Sequence, residues 1–189
     1  MTEKPTALVL LAEGGEEMEA VISIDVLRRG QIDVTVAGVD GASPIRCSRG
    51  VVITPDVALD QVQGAFDIIV LPGGAEGAKR LAHSSRVGEL LREQEQSGRW
   101  VAAICAAPIA FPAHGVFRDR QLTSHPSVKS MVETWGQYSE HSVVADRNLI
   151  TSRGPGTAFA FALRIVGTLT DAQRMVQVRA PMMFPVQAS

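Results

Sequence analysis

The sequence predicts an α/β fold with a mainly parallel sheet and helices on both faces. Short, continuously apolar segments occur at 6–12, 67–71 and 100–104, and such runs are typical of parallel strands that are buried on both faces. Helical segments separate these runs, and strands that alternate with helices indicate an α/β architecture. The chain has 189 residues, of which 46% are hydrophobic. This composition suits one compact core, so we expect a single domain over residues 1–189.

The elements of the first half follow from the apolar runs and the residues that interrupt them. The strand at 6–12 leads into E-G-G-E-E-M-E, which opens a helix whose acidic first turn suits the positive end of the helix dipole. This helix ends at Gly30, and a second strand covers 32–39. The segment 40–57 contains glycines and prolines and is predicted to form a small hairpin. The strand at 67–71 then ends in P-G-G.

The second half continues the alternation up to an irregular segment at 115–150. Before that segment, the second half is predicted to contain a helix at about 84–97, the strand at 100–104 and a helix to about His114. Short strands are predicted at 142–145 and 148–151, and they are followed by an apolar helix at about 158–169 and a final helix at 171–179. In sheets of this kind, ligands bind outside the carboxyl ends of the strands. The strand ends that carry A-E-G-G-E-E, P-G-G and C-A-A-P are therefore the places to search for a site.

Composition and charge exclude several classes of function. The formal net charge is -2, with no basic blocks, so we expect no specific nucleic-acid binding. The apolar runs fall short of the roughly 18–20 residues that span a bilayer, so we expect no membrane segment. The first residues lack the pattern of a secretory signal, and two cysteines do not make a disulfide framework. We therefore expect a cytoplasmic protein.

Motifs for metals and nucleotides are also missing from the sequence. Cys47 and Cys105 lie far apart, and there is no C-x-x-C or H-x-x-x-H pair of the kind that binds zinc. There is no G-x-G-x-x-G or Walker-type loop either. We expect neither a metal nor an organic cofactor.

Cys105 lies in W-V-A-A-I-C-A-A-P, where a predicted strand passes directly into a helix. The nucleophile elbow of hydrolases uses the same device, and it requires small residues two positions on either side of the nucleophile. Ala103 and Ala107 occupy those positions. A helix N-terminus favours the thiolate, which predicts a lowered pKa for Cys105. The alternative interpretation is that Cys105 is a small buried apolar residue without chemistry.

Glu19 lies in the first predicted helix, three residues before Ile22 and seven before Val26. This spacing places it on the apolar stripe of the helix. An inward carboxyl is costly unless it is neutral or hydrogen-bonded, so burial would raise its pKa, and the protonated group would be able to donate to a nearby thiolate. The alternative is a glutamate that caps its own backbone. We interpret Glu16 and Glu17 as ordinary helix-starting acids.

Two further features are candidates for the same site. Gly73 and Gly74 follow a strand, where their N–H groups would be able to form an oxyanion site with the N–H of Ala106. The alternative is a plain tight turn after Pro72. His125, in the loop T-S-H-P, is a candidate acid or base. The alternative is a solvated loop histidine.

Taken together, the motifs resemble the ThiJ/PfpI superfamily, and within it the group of Parkinsonism-associated deglycases and their bacterial relatives. The motifs that carry the resemblance occur in family order from residue 7 to about 170; they are A-L-V-L-L-A-E-G-G-E-E-M-E, D-V-L-R-R-G, V-T-V-A-G, C-S-R-G-V, V-L-P-G-G, V-A-A-I-C-A-A-P, T-S-H-P and T-S-R-G-P-G-T. The sequence departs from the animal members at Thr54, where they carry a second cysteine, and in the last residues after the final helix.

The resemblance implies a flavodoxin-like three-layer sandwich that forms a homodimer, with Asp25, Arg28 and Arg49 among its contacts. It implies a cofactor-independent glyoxalase or deglycase that acts on methylglyoxal, glyoxal or their early adducts on proteins and nucleotides and releases lactate or glycolate. The alternative that it leaves open is a non-enzymatic oxidative-stress sensor, or redox-regulated chaperone, that uses the same oxidisable cysteine. A peptidase or amidotransferase, as in distant relatives, is disfavoured because no separate substrate-binding domain or ammonia-donor motif is visible.

The resemblance also assigns roles to the candidate residues. Cys105 would be the nucleophile, and Glu19 would be the protonated carboxyl beside it. His125 matches the histidine that lies near that cysteine in the family. Gly74 and Ala106 match the backbone donors.

Overall fold

The computed structural model describes residues 4–184; residues 1–3 and 185–189, the two ends of the predicted domain, lie outside the described residues. The strands are β1 (Thr6–Leu11), β2 (Asp33–Gly38), β3 (Ile45–Arg46), β4 (Val52–Ile53), β5 (Val57–Ala58), β6 (Ile68–Leu71), β7 (Trp100–Ile104), β8 (Gln121–Leu122), β9 (Gln137–Tyr138), β10 (Val143–Asp146) and β11 (Leu149–Ser152). The α-helices are α1 (Glu17–Arg29), α2 (Ala75–His83), α3 (Ser85–Ser97), α4 (Ala110–His114), α5 (Lys129–Val132), α6 (Ala158–Leu169) and α7 (Ala172–Arg179).

The central sheet has seven strands in the order β10-β11-β7-β6-β1-β2-β5. Its neighbouring strands are parallel except for β10, which runs antiparallel to β11. If β1, β2, β6, β7 and β11 are counted in chain order, the sheet reads 2-1-3-4-5 from β2 to β11, which is the flavodoxin-like order. The predicted α/β fold and its flavodoxin-like form are confirmed.

Helices cover both faces of this sheet and make the sandwich three-layered. Along β1, Leu8 and Leu10 belong to a core shared with α2, α3 and α4. The intervening Val9 and Leu11 belong to a second core shared with α1, α6 and α7. Successive side chains of a strand point to opposite faces, so a strand between two helical layers must be apolar at every position. This is why the central strands appear in the sequence as unbroken apolar runs.

The bounds of the longer strands, of α3, α6 and α7, and of the β3–β4 hairpin agree closely with the predicted bounds. The sequence did not predict α2, because two glycines precede it and Gly77 lies inside it. Glycine destabilises a helix interior, but here a Cβ on Gly77 would lie 2.7 Å from Cα of Gly15. The position needs glycine for packing, and the helix forms in spite of it. The short strands β5, β8 and β9 were also not predicted.

Within residues 4–184, no helix combines the length and the apolar character that a membrane crossing requires.

Candidate active site

The candidate site lies at the carboxyl ends of the strands. There, the chain stops adding strands on one side of β1 and begins to add them on the other side. That reversal falls between β1 and β6, which are neighbours in the sheet, and such switch points form ligand-binding crevices. Backbone hydrogen bonds join the loops there: Glu16 N–H donates to the Gly73 carbonyl at 3.0 Å, and His125 N–H donates to the Cys105 carbonyl at 2.8 Å. The structure therefore brings together the three strand ends that the sequence singled out.

Cys105 has the backbone conformation of an elbow. Its φ is +64°, in the left-handed region that non-glycine residues rarely adopt. Ala103 and Ala107 are fully buried on either side, and the Cys105 N–H donates to the Ser152 carbonyl of β11 at 3.0 Å. A strained residue persists only where its surroundings hold it, at a cost on the order of 1–3 kcal/mol, and such residues cluster at functional sites.

Glu19 is fully buried on the inner face of α1. Its Oε2 accepts a hydrogen bond of 2.7 Å from the Gly73 N–H, and its carboxyl lies beside the thiol of Cys105. Burial raises the pKa of Glu19 to about 7, and the nearby charge of Glu16 adds to this effect. The capping interpretation of Glu19 is wrong, because the N-cap of α1 is Glu16, whose side chain accepts from the Met18 N–H.

The two glycines after β6 have different roles. A Cβ on Gly73 would lie 2.6 Å from Cβ of Cys105 and 2.8 Å from Oε2 of Glu19, so only glycine fits between them. Gly73 was predicted as an oxyanion donor, but its N–H is already bound to Glu19. The N–H groups that face the Cys105 sulfur belong to Gly74 and Ala106. Of the three N–H groups predicted as oxyanion donors, only those of Gly74 and Ala106 therefore remain as candidates.

The prediction that Cys105 has a lowered pKa is wrong for the structure as it stands. Burial first and the negative charge of Glu19 second raise the pKa of the thiol to about 12, whereas the N–H groups of Gly74 and Ala106 act in the opposite direction. The helix after the elbow gives little help, because it begins with a 3₁₀ turn and α4 has only five residues. When Glu19 takes up a proton, its charge disappears and its O–H becomes able to stabilise the thiolate. The two groups therefore titrate as a pair.

His125 is half-buried at the start of a 3₁₀ turn and lines the same cleft as Cys105. Its Nδ1 accepts from the Ser127 N–H at 3.2 Å and lies 2.8 Å from the Ser127 hydroxyl. A backbone N–H can only donate, so Nδ1 is the acceptor, and the neutral ring carries its proton on Nε2.

The cleft has a volume of about 620 Å³ and is lined by Cys105, Gly74, Ala106 and His125 together with residues 46–49 of the hairpin segment. Within residues 4–184, no group of three His, Cys, Asp or Glu side chains is arranged to hold a metal ion.

One polar cluster of the cleft was missed by the sequence interpretation. The Ser48 hydroxyl lies 2.8 Å from Oε2 of both Glu16 and Glu17, and the Arg49 N–H donates to Glu17 at 2.8 Å. Both glutamates are nearly buried, so they are more than helix-starting acids: they attach the hairpin segment to α1. The serine of the C-S-R motif was the available signal, since a hydroxyl suits carboxylate partners, whereas Arg49 binds Glu17 through its backbone N–H.

The fold and the site together define the class: a flavodoxin-like α/β protein with a cysteine at a strained strand-to-helix turn beside the switch point of its sheet. Comparison with known families agrees with that class, because residues 5–168 match the DJ-1/PfpI family. The chain belongs to the DJ-1/PfpI family, and the resemblance shown by its motifs is confirmed.

Individual relatives cover nearly the whole chain. Protein DJ-1alpha of Drosophila melanogaster is 49% identical over 181 residues, which span 94% of this chain and 83% of the relative. A Caenorhabditis elegans relative named glutathione-independent glyoxalase DJR-1.2 is 43% identical over 185 residues, or 96% and 98% of the two chains. The crystal structure of Drosophila melanogaster DJ-1beta superposes with a TM-score of 0.95 at 47% identity, covering 97% of this chain and all of that one.

Proposed function

We propose that this protein is a cofactor-independent, cysteine-dependent glyoxalase or deglycase. Its substrates would be methylglyoxal, glyoxal or their early adducts on proteins and nucleotides, and its products lactate or glycolate. The observation that carries the proposal is the fully buried carboxyl of Glu19 beside the Cys105 thiol at an elbow. The C. elegans relative that is named a glyoxalase supports it.

The first step would be addition of sulfur to an aldehyde. The Cys105 thiolate bonds to the aldehyde carbon, and the carbonyl electron pair moves onto oxygen. The N–H groups of Gly74 and Ala106 hold this oxyanion, and the Glu19 carboxyl then transfers its proton to it. The product is a hemithioacetal on Cys105 beside a Glu19 carboxylate.

The second step would move hydrogen between the two substrate carbons. The Glu19 carboxylate removes the C–H proton of the hemithioacetal carbon while His125 Nε2–H protonates the neighbouring ketone oxygen, which gives an enediol. Glu19 then returns its proton to the neighbouring carbon, and the O–H on the former hemithioacetal carbon gives its proton back to His125. The product is a 2-hydroxyacyl thioester on Cys105. Water hydrolyses this thioester to lactate and restores the thiol, so the net reaction consumes one water and needs no redox cofactor.

We further propose that the protein acts as a cytoplasmic homodimer, as the sequence resemblance implies. The support is an apolar patch (Met18 and Val21 on α1, Val51 and Val52 at the hairpin), in which all four side chains are about half exposed. Helix α1 and the hairpin are adjacent, since Val21 and Ile53 line the same surface depression.

The second candidate is an oxidative-stress sensor or redox-regulated chaperone in which Cys105 is oxidised to sulfinate. The observation that favours it is that Cys105 is partly exposed to the cleft, whereas the Cys47 side chain is buried. The Gly74 and Ala106 N–H groups would hold a sulfinate oxygen as they hold an oxyanion.

Replacement of His125 by Ala separates the two candidates. Carbonyl rearrangement requires proton transfer at the ketone oxygen, whereas oxidation of a thiol by peroxide does not. We expect His125→Ala to lower methylglyoxal turnover at least tenfold, on the order of a lost general acid, and to leave the rate of Cys105 oxidation by peroxide unchanged. Equal turnover in variant and wild type would remove His125 from the mechanism, and no turnover in either would favour the sensor.

A further inference from the structure

Two fully buried oxygen atoms on the same face of α1 have no hydrogen-bond partner among residues 4–184. They are Oε1 of Glu19 and the hydroxyl Oγ of Ser23. Buried polar atoms are nearly always paired, and an unpaired one in a native structure calls for an explanation. The two atoms make no hydrogen bond to each other either, but both belong to residues on the inner face of one helix, where a single bridging water molecule would satisfy both.

The spacing of the two residues supports this pairing. Ser23 is four residues after Glu19, so their Cβ atoms are neighbours about 5–6 Å apart, and side chains on a helix lean towards its N-terminus. The Ser23 hydroxyl therefore leans towards Glu19. A serine inside a helix often donates to the carbonyl four residues earlier, but Ser23 makes no such bond, so its hydroxyl is available to the Glu19 side chain.

The other groups that face Glu19 leave Oε1 to Ser23. The loop after β6 supplies the Gly73 N–H, which binds Oε2. The turn after β7 supplies the Cys105 thiol, and the N-cap of α1 supplies the charge of Glu16. Helix α6 packs against α1, and its buried residues are all apolar, namely Ala158, Phe161, Ala162, Leu163, Ile165 and Val166.

We infer that Ser23 is a positioning residue for the Glu19–Cys105 pair: its hydroxyl holds one water molecule that donates a hydrogen bond to Oε1 of Glu19, and this bond favours the ionised carboxylate. A hydrogen bond to a charged acceptor is stronger than one to a neutral acceptor, so the bond stabilises the carboxylate more than the carboxylic acid. The inference rests on the Glu19–Cys105 pair of the proposed function. It concerns only the protonation of these two residues, so it can be tested without any turnover of methylglyoxal.

The consequence is a specific change in how Cys105 reactivity depends on pH. At low pH, Glu19 is neutral, and the amount of thiolate depends on Cys105 alone. Above the Glu19 pKa of about 7, the carboxylate competes with the thiolate for the single charge that the pair carries, and the rate of thiol alkylation levels off. Without the Ser23 hydroxyl, the carboxylate is less favoured. The rate of thiol alkylation then levels off at a higher pH, and it reaches a higher value on the plateau.

The test compares Ser23→Thr with Ser23→Val in the full-length protein. Threonine and valine have nearly the same shape, so any packing disturbance is shared and only the hydroxyl differs. The rate of Cys105 alkylation by iodoacetamide is followed from acidic to alkaline pH by mass spectrometry of the Cys105 peptide. We expect Ser23→Thr to follow wild type, and Ser23→Val to match it at low pH and to exceed it about three- to tenfold on the plateau.

Several outcomes would overturn the inference. Identical pH profiles of the alkylation rate for Ser23→Thr and Ser23→Val would show that the hydroxyl does not act on Glu19. A difference in rate that is the same at every pH would show the same. If the added methyl group prevents folding, Ser23→Ala beside wild type gives the same comparison. Failure of methylglyoxal turnover would not affect this test, because the alkylation rate depends on the protonation of Glu19 and Cys105 whether or not the protein is an enzyme.

Discussion

Glu19 and Cys105 show how two residues acquire properties together that neither has alone. Burial raises the pKa of both groups, and the negative charge of Glu19 is the second cause of the raised pKa of Cys105, whereas the hydrogen bond with Cys105 lowers the pKa of Glu19. A neutral Glu19 beside a thiolate is the state that the proposed chemistry needs. Near neutral pH, Glu19 is close to its own pKa of about 7, so small changes around it alter the reactivity of the thiol.

The raised pKa of Glu19 predicts a stability that falls as pH rises. The folded protein holds the proton up to about pH 7, whereas a free glutamate loses it near 4.5. The wild type should therefore lose about 3 kcal/mol of unfolding free energy between these values and no more above them. Glu19→Gln lacks this titration, so its stability relative to wild type should rise by that amount.

Urea unfolding of wild type and Glu19→Gln at about pH 4.5 and about pH 8 measures this difference. Titrating groups that do not interact with Glu19 are common to the two proteins and cancel in the comparison. A difference in unfolding free energy that is the same at both pH values would show that Glu19 has an ordinary pKa in the folded state.

Sequence patterns located most of these residues and the raised pKa of Glu19, but not the pKa of Cys105. The apolar stripe of α1 predicted that Glu19 points inwards, and the small residues around Cys105 predicted the elbow. The predicted direction of the Cys105 pKa was wrong, because burial of the thiol and the charge of Glu19 raise this pKa, and both depend on tertiary contacts that the local sequence does not show. The burial of Glu16 and Glu17 was missed for a related reason: their partner Ser48 lies on a hairpin that is distant in sequence.

At the scale of elements, close packing at the sheet edge decides where glycine is required. Helix α2 starts at the same edge as the site, and Gly77 lies against the backbone of Gly14 and Gly15. Helix propensity alone predicted no helix at the position of α2. The helix forms because it packs closely against the loop after β1. Long elements such as β1 and α6 were predictable because their periodicity and burial agree over many residues, which a short strand such as β8 cannot show.

Gly77→Ala and Gly167→Ala form a matched pair that tests this packing. Both glycines lie inside helices, where alanine is favoured by roughly 0.5–1 kcal/mol. A Cβ at Gly167 would meet Met175 Sδ at 3.4 Å, which is an ordinary contact, but at Gly77 it would lie 2.7 Å from the Gly15 backbone. We expect Gly167→Ala to be neutral or stabilising and Gly77→Ala to destabilise by about 1–3 kcal/mol.

Thermal or urea unfolding of the two variants beside wild type provides the measurement. Stabilisation by Gly77→Ala would contradict the close approach of α2 to the loop after β1. A loss of stability in both variants would point to general helix strain instead.

At the scale of the whole molecule, the strand order, the cysteine elbow and the family membership agree. The flavodoxin-like order brings the ends of β1, β6 and β7 to one edge of the sheet, so residues that are far apart in sequence form one cleft. The resemblance of the motifs predicted this arrangement, whereas strand and helix periodicity alone predicted only the α/β class. The single domain over 1–189, the cytoplasmic location and the homodimer stay predictions.

The proposed homodimer predicts that a charge in the apolar patch separates the subunits. Val52 is 53% exposed within that patch, and Val176 on α7 is 59% exposed outside it. Val52→Glu should give a monomer in light scattering coupled to size exclusion, because a carboxylate buried at an interface without a partner is strongly unfavourable. Val176→Glu is the matched control and should keep the wild-type mass. A monomeric wild type, or a dimer of Val52→Glu, would contradict this use of the patch.

The central claim is that the Cys105 thiol performs carbonyl chemistry, and conversion of methylglyoxal to lactate tests it most directly. Wild type and Cys105→Ser, purified identically and freed of metals, would be followed by NMR, with circular dichroism to show that both are folded. Serine is nearly isosteric with cysteine but is a far weaker nucleophile without an adjacent base. We predict steady lactate formation by wild type and none above background by Cys105→Ser. Lactate formation at equal rates by both proteins would contradict the claim.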